Sequence, residues 1–115
     1  MRIILATEDK NLRLAVYLVL SEEPGVDIVG TTIDTEGLMA LSSSSCPDVV
    51  LMDYEMGGAT VQSAIRALKG CEKPAQLIVL GRDPLDRDPA IQAGADQFVL
   101  KGGAPAEFLD AIRST

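Results

Sequence analysis

Apolar residues in this chain follow two rhythms. Short runs, Ile3-Ile4-Leu5, Val49-Val50-Leu51-Met52, Leu77-Ile78-Val79-Leu80 and Phe98-Val99-Leu100, stand among polar residues and turn formers. Runs this brief and rich in β-branched residues read as strands buried on both faces. Val26 to Gly30 reads as one more strand. Between the runs the spacing changes to that of a helix face. Leu12, Ala15, Val16, Val19 and Leu20 form the first such face, Leu38 and Leu41 a weaker one, and Val61, Ala64, Ile65 and Leu68 a third. Phe108, Ala111 and Ile112 form the last, in a helix opened by Pro105. Stops fall where the chemistry of the chain puts them: Pro24-Gly25, the serines 42–45 with Pro47, Gly70, and Gly102-Gly103. Gly81 to Asp88 reads as loop, and Asp88 is placed to cap a helix whose first residue is Pro89 and which ends by Ala93, before Gly94. Five strand-helix units in alternation predict an α/β fold, a doubly wound parallel sheet with helices on both faces.

In such sheets ligands bind outside the carboxyl ends of the strands. Glu8 and Asp9 follow strand one, Asp53 follows strand three and Lys101 follows strand five. Each has a bland reading: helix-start acids favoured by the macrodipole, an aspartate that caps a loop, a lysine in water. Together they form a constellation. Carboxylates at ~4 Å repel by roughly 4 kcal/mol at an effective dielectric near 20. A hard divalent cation such as Mg²⁺, held by oxygen ligands and water, relieves that repulsion. A lysine opposite is a point charge for a phosphoryl group. The set points to phosphoryl transfer onto an aspartate nucleophile.

Composition narrows the field. A chain of 115 residues with 47% apolar content forms one domain, residues 1–115, with one core. The net charge of −7, with Lys and Arg dispersed, argues against direct nucleic-acid binding. No apolar run approaches the ~20 residues of a membrane span. Glu8 and Asp9 interrupt the opening apolar run too early for a secretory signal. Cys46 and Cys71 lack metal or redox spacing and read as reduced thiols of a cytoplasmic protein. With no histidine, the chain holds neither a Ser-His-Asp triad nor a phosphohistidine.

Several stretches now share one resemblance: Met1 to Asp9, Glu22 to Gly30, Pro47 to Met56 and Ala93 to Lys101. The chain resembles a response-regulator receiver domain over nearly its whole length. Leu100 to Arg113 is similar to the subfamily that precedes a LuxR-type helix-turn-helix. The resemblance implies a flavodoxin-like sheet in the order 2-1-3-4-5. It implies that Asp53 accepts a phosphoryl group from a histidine kinase and that Lys101 binds the phosphoryl oxygens. Mg²⁺ would rest on Asp53, Glu8 and the backbone carbonyl of Glu55. Phe98 stands at the family's switching aromatic, with plain core as the alternative. The family is not enzymatic beyond weak autophosphatase chemistry. A homodimer through the last helix and a C-terminal DNA-binding output domain outside this chain are further implications.

The pattern also departs from the family. Thr7 and Glu8 stand where two acids are expected, so one charge is missing. Gly81 replaces the Ser or Thr at the end of strand four, and residues 64 to 113 contain neither residue type. Arg82 follows, either as a surface arginine or as a guanidinium that meets the phosphoryl oxygens in place of the hydroxyl. Gly81 to Ala93 is about two residues short and carries Pro84 and Pro89, so a short or irregular fourth helix is expected. Gly102 stands where a polar or acidic residue is more usual. These departures favour, as the alternative function, a receiver-like interaction or dimerisation module that needs no phosphorylation. A flavin-binding or nucleotide-binding enzyme of this shape has little support. There is no G-x-G-x-x-G and no P-loop, and Tyr54 alone is an aromatic in a loop at the carboxyl edge.

Overall fold

The computed structural model describes residues 1–56, 61–102 and 105–115. Five strands, β1 (Arg2–Ala6), β2 (Asp27–Thr32), β3 (Val49–Asp53), β4 (Gln76–Gly81) and β5 (Gln97–Leu100), form one parallel sheet in the order β2-β1-β3-β4-β5. The helices are α1 (Lys10–Ser21), α2 (Thr35–Ser45), α3 (Val61–Lys69), α4 (Arg87–Ala93) and α5 (Pro105–Arg113). The predicted flavodoxin-like order is therefore observed. The turn expected at Gly57-Gly58 and the residue Gly103 lie outside the described residues.

Alternation along the strands splits the core in two. Ile4, Val50, Met52, Leu77 and Val79 pack with Leu38, Ile65, Leu68, Ala90 and Ala93 on one face. Ile3, Leu5, Leu51, Ile78 and Leu80 pack with Val16, Leu20, Phe108 and Ile112 on the other. β3 lies at the centre and all five of its residues are buried. Its final residue, Asp53, is thereby delivered to the carboxyl edge in a buried position.

Local chemistry corrects three boundaries. The serine run does not break α2, which continues through Ser45. Ser44 donates its hydroxyl to the Leu41 carbonyl at 3.2 Å, so the run satisfies its own helix. Cys46, in the left-handed region at φ 47°, and Pro47 end it instead. Gly81 is not loop but the last residue of β4, paired with Leu100. A 3-10 turn at Pro84–Asp86, capped by Asp83 through the Leu85 N–H, then leads into α4. That helix starts at Arg87, ahead of the predicted Asp88 cap. Pro89 is its third residue, where an N–H has no intrahelical partner to lose. The predicted stop at Ala93 holds, with Gly94 at φ 126° closing the helix.

Candidate functional site

Asp53 has 2% of its side chain exposed and is held from three directions. Its Oδ1 accepts the Lys101 ammonium at 2.7 Å and the Glu55 N–H at 2.9 Å. Its Oδ2 accepts the Thr7 hydroxyl at 2.8 Å. Strand ladders set each donor. Lys101 extends β5 by donating its N–H to the Gly81 carbonyl at 2.8 Å. Thr7 extends β1 by donating its N–H to the Thr32 carbonyl at 3.0 Å. The turn after β3 starts with Tyr54 N–H on the Leu80 carbonyl at 2.8 Å, which brings the next N–H, that of Glu55, back onto the carboxylate. Such charge-assisted bonds are the short, strong class.

A second layer surrounds this network. The Glu55 carboxylate lies 3.8 Å from the Lys101 ammonium and 3.9 Å from Arg82 Nε. Arg82 has 71% of its side chain exposed, so it stands at the rim, loosely tied to Glu55. Asp9 caps α1 by accepting the Asn11 and Leu12 N–H groups at 2.9 and 3.1 Å. The Leu12 N–H above all holds its carboxyl below the usual range, and the charges of Lys101 and Arg82 add to this. The Asp9 N–H in turn donates to the Thr7 oxygen at 3.1 Å.

Asp53, Lys101 and Glu55 thus lie together, Glu55 through its N–H and carboxylate, and Arg82 lies beside them. Glu8 is exposed and takes no part in the described hydrogen bonds around Asp53. Phe98 is half-buried on the α2–α4 face, packed against the core and against Gly81. The residue that sequence reasoning missed is Thr7. It registers with the first acid of the expected pair, and the lost charge hid a retained hydrogen bond. The signal was its place one residue past β1, where a side chain at the carboxyl edge can reach β3.

The model of the response regulator receiver domain matches residues 3–113. This chain belongs to that family. It is 30% identical over 98% of its length to the transcriptional regulatory protein LiaR of Bacillus subtilis, covering 54% of that protein. It is 30% identical over 97% of its length to the response regulator UvrY of Escherichia coli, covering 52% of it. The chain therefore spans about half the length of these relatives. Among solved structures, the signal receiver domain of NarL from Mycobacterium tuberculosis superposes with a TM-score of 0.90 at 27% identity, over 98% of this chain and 93% of that one. A LuxR-family two-component response regulator from Aurantimonas sp. SI85-9A1 matches at 0.90 and 25%, over 98% and 82%.

Receiver domains generally bind Mg²⁺ at the acidic phosphorylation site. The donor chemistry of this edge fits that ion. Glu8, Asp9, Asp53 and Glu55 stand against Lys101 and Arg82, which leaves two negative charges on hard oxygen donors. No three acidic side chains converge as a metal cage among the described residues. Mg²⁺ needs none, since it keeps several waters and binds through one or two carboxylates.

Proposed function

We propose that this receiver domain accepts a phosphoryl group on Asp53 from the phosphohistidine of a histidine kinase. The observation that carries the reading is the buried Asp53–Lys101 pair at 2.7 Å at the carboxyl edge of the central strand. An Asp53 oxygen attacks phosphorus in line, a P–O bond forms, the P–N bond breaks, and the imidazole leaves with a proton from solvent. Lys101 then shifts from the carboxylate to the phosphoryl oxygens, where its charge is needed. The Glu55 N–H and the Thr7 hydroxyl keep the carboxyl group from rotating. Asp53, Glu8 and the Glu55 carbonyl would hold Mg²⁺, which would supply neutralisation of the charge on the transferring group. Arg82, released from Glu55, is within the same rim and supplies the second cation. Slow hydrolysis of the acyl phosphate is the only catalysis in this reading.

Residues 1–115 act as one receiver unit in the cytoplasm. No helix is long and apolar enough to cross a membrane among the described residues. DNA binding belongs to an output domain, as in the LuxR-type relatives, and pairing of two receivers runs through α5. A phosphorylation-independent interaction module is the second reading, favoured by one observation: position 81 carries no hydroxyl.

Acetyl phosphate with Mg²⁺, followed by intact mass, decides between them. A phosphoryl adduct on the wild type that Asp53→Asn lacks is the expected result. No adduct, together with no Mg²⁺-dependent rise in melting temperature, transfers the assignment to the second reading.

A further inference from the structure

Gly81 and Phe98 are on neighbouring strands and on the same face of the sheet. Leu77 and Val79 point into the α2–α4 side of the core, so alternation directs position 81 there too. Phe98 pairs with Val79, and its ring leans along the strand over the next position on that face. A β-carbon placed on Gly81 would lie 2.5 Å from Cζ and 2.6 Å from Cε2 of that ring. Real β-carbons do not approach other atoms so closely, and the obstructing atoms belong to the far end of a side chain. The ring therefore occupies space that only glycine leaves free. From this position Phe98 also borders an open groove of about 610 Å³ between α4 and α5, with Pro84, Arg87, Leu100, Glu107 and Asp110.

We propose that Gly81 is the docking seat of the Phe98 ring and keeps it on the α2–α4 face whether or not Asp53 is phosphorylated. The residue at position 81, not the phosphoryl group, then sets the shape of the β5 surface. The absence of a hydroxyl at position 81 supports this independently. Gly81 has no side chain to follow a phosphoryl group and so cannot report its arrival to the ring. The inference goes beyond the acceptor reading and is testable apart from it.

The chain has two phenylalanines, Phe98 and Phe108. The whole chain labelled with 4-fluorophenylalanine thus gives two fluorine resonances, assigned with Phe108→Leu. In the wild type the Phe98 signal is expected to be a single line that a soluble paramagnetic chelate broadens only in part. Gly81→Ser, and Gly81→Ala as the milder variant, are expected to shift it and make it severalfold more sensitive to the chelate. The Phe108 signal stays put and reports an intact core. Beryllofluoride with Mg²⁺ is then added to the wild type, and bound fluoride signals show occupancy of Asp53 in the same spectrum. The Phe98 line is expected not to move. The proposal is overturned if Phe98 is as chelate-sensitive in the wild type as in the position-81 variants, if both variants leave its line unchanged, or if it moves when beryllofluoride binds. Absence of bound fluoride would count against the acceptor reading alone, and the position-81 variants would then decide this one.

Discussion

The sheet carries a lysine-aspartate pair at each end. At the carboxyl edge Lys101 meets Asp53 at 2.7 Å, and at the amino edge Lys69 meets Asp96 at the same distance. Both aspartates also accept a backbone N–H, from Glu55 and from Leu77. By pair geometry alone the two are indistinguishable. Their surroundings differ. Lys101 and Asp53 have 11% and 2% of their side chains exposed, and a third donor, Thr7, and an arginine only loosely tied to Glu55 lie nearby. Lys69 and Asp96 have 20% and 29% exposed, and Lys69 spends a further proton on the Ala75 carbonyl at 2.9 Å. The amino-edge pair ties the end of α3 to the starts of β4 and β5, and its charges are consumed by backbone. At the other edge the lysine faces carboxylates, which in the proposed reading it would exchange for an incoming phosphoryl group. A salt bridge thus gains a function from the edge it stands on and from what else its members hold.

Exchanging the aspartates separates the two most sharply. Asp53→Asn is expected to abolish the phosphoryl adduct formed with acetyl phosphate. Asp96→Asn is expected to leave the adduct intact while lowering the melting temperature. An adduct that survives Asp53→Asn, or vanishes in Asp96→Asn, would erase the distinction.

The lysines give the next largest contrast. A charge-assisted hydrogen bond contributes about 1.5–3 kcal/mol. Lys101→Met is therefore expected to slow labelling by about tenfold to a hundredfold, read from the time course of intact mass. Lys69→Met is expected to label at the wild-type rate. Its part-exposed pair contributes about 1 kcal/mol, equivalent to about 4 °C in melting temperature for a domain of this size.

Much of this arrangement was legible before any coordinates. The run from Val49 to Met52 reads as a strand buried on both faces, and its alternation with helix faces predicts the parallel sheet whose carboxyl edge carries Asp53 and Lys101, while the order 2-1-3-4-5 comes from the resemblance. What stayed illegible depended on neighbours distant in sequence. Nothing local to Ser42–Ser45 says that the Ser44 hydroxyl will fold back onto α2. Gly81 looked like the start of a loop because glycine is weak in a strand, yet pairing with Leu100 and the Phe98 ring above it hold it there. In sequence Thr7 stands only as a missing charge, because its bond to Asp53 exists only when β1 and β3 lie side by side.

Thr7 is where the acceptor corner can be pushed toward or away from the inert one. It is fully buried, and its oxygen serves both Asp53 and the Asp9 N–H. Thr7→Val keeps the shape but leaves a carboxylate oxygen and an N–H without that partner, a cost of about 1–3 kcal/mol. Thr7→Asp adds a carboxylate beside Asp53, with repulsion of up to roughly 4 kcal/mol that a divalent cation offsets. The expected signature is a melting temperature lower than wild type in EDTA and a larger rise on adding Mg²⁺. Equal Mg²⁺ responses in Thr7→Asp and wild type would mean that position 7 does not face the metal.

The smallest expected effect comes from a third pair, which joins the ends of two helices. Arg113 of α5 donates to Glu23, beyond the end of α1, through two bonds of 2.7 and 3.0 Å. The bond from Arg113 holds the Glu23 carboxyl below its ordinary value, with the guanidinium charge adding to it. A carboxyl with a depressed folded-state pKa contributes stability that is present above its unfolded value, about 4.3 for glutamate, and is lost as pH falls through the lower folded value. The difference in melting temperature between wild type and Arg113→Gln should therefore be constant above about pH 5 and close as pH falls below 4. Because the arginine is largely exposed, added salt should shrink the difference at pH 7. A difference that persisted unchanged at pH 3 would assign Arg113 a packing role, with its stem rather than its charge holding α5 against the sheet.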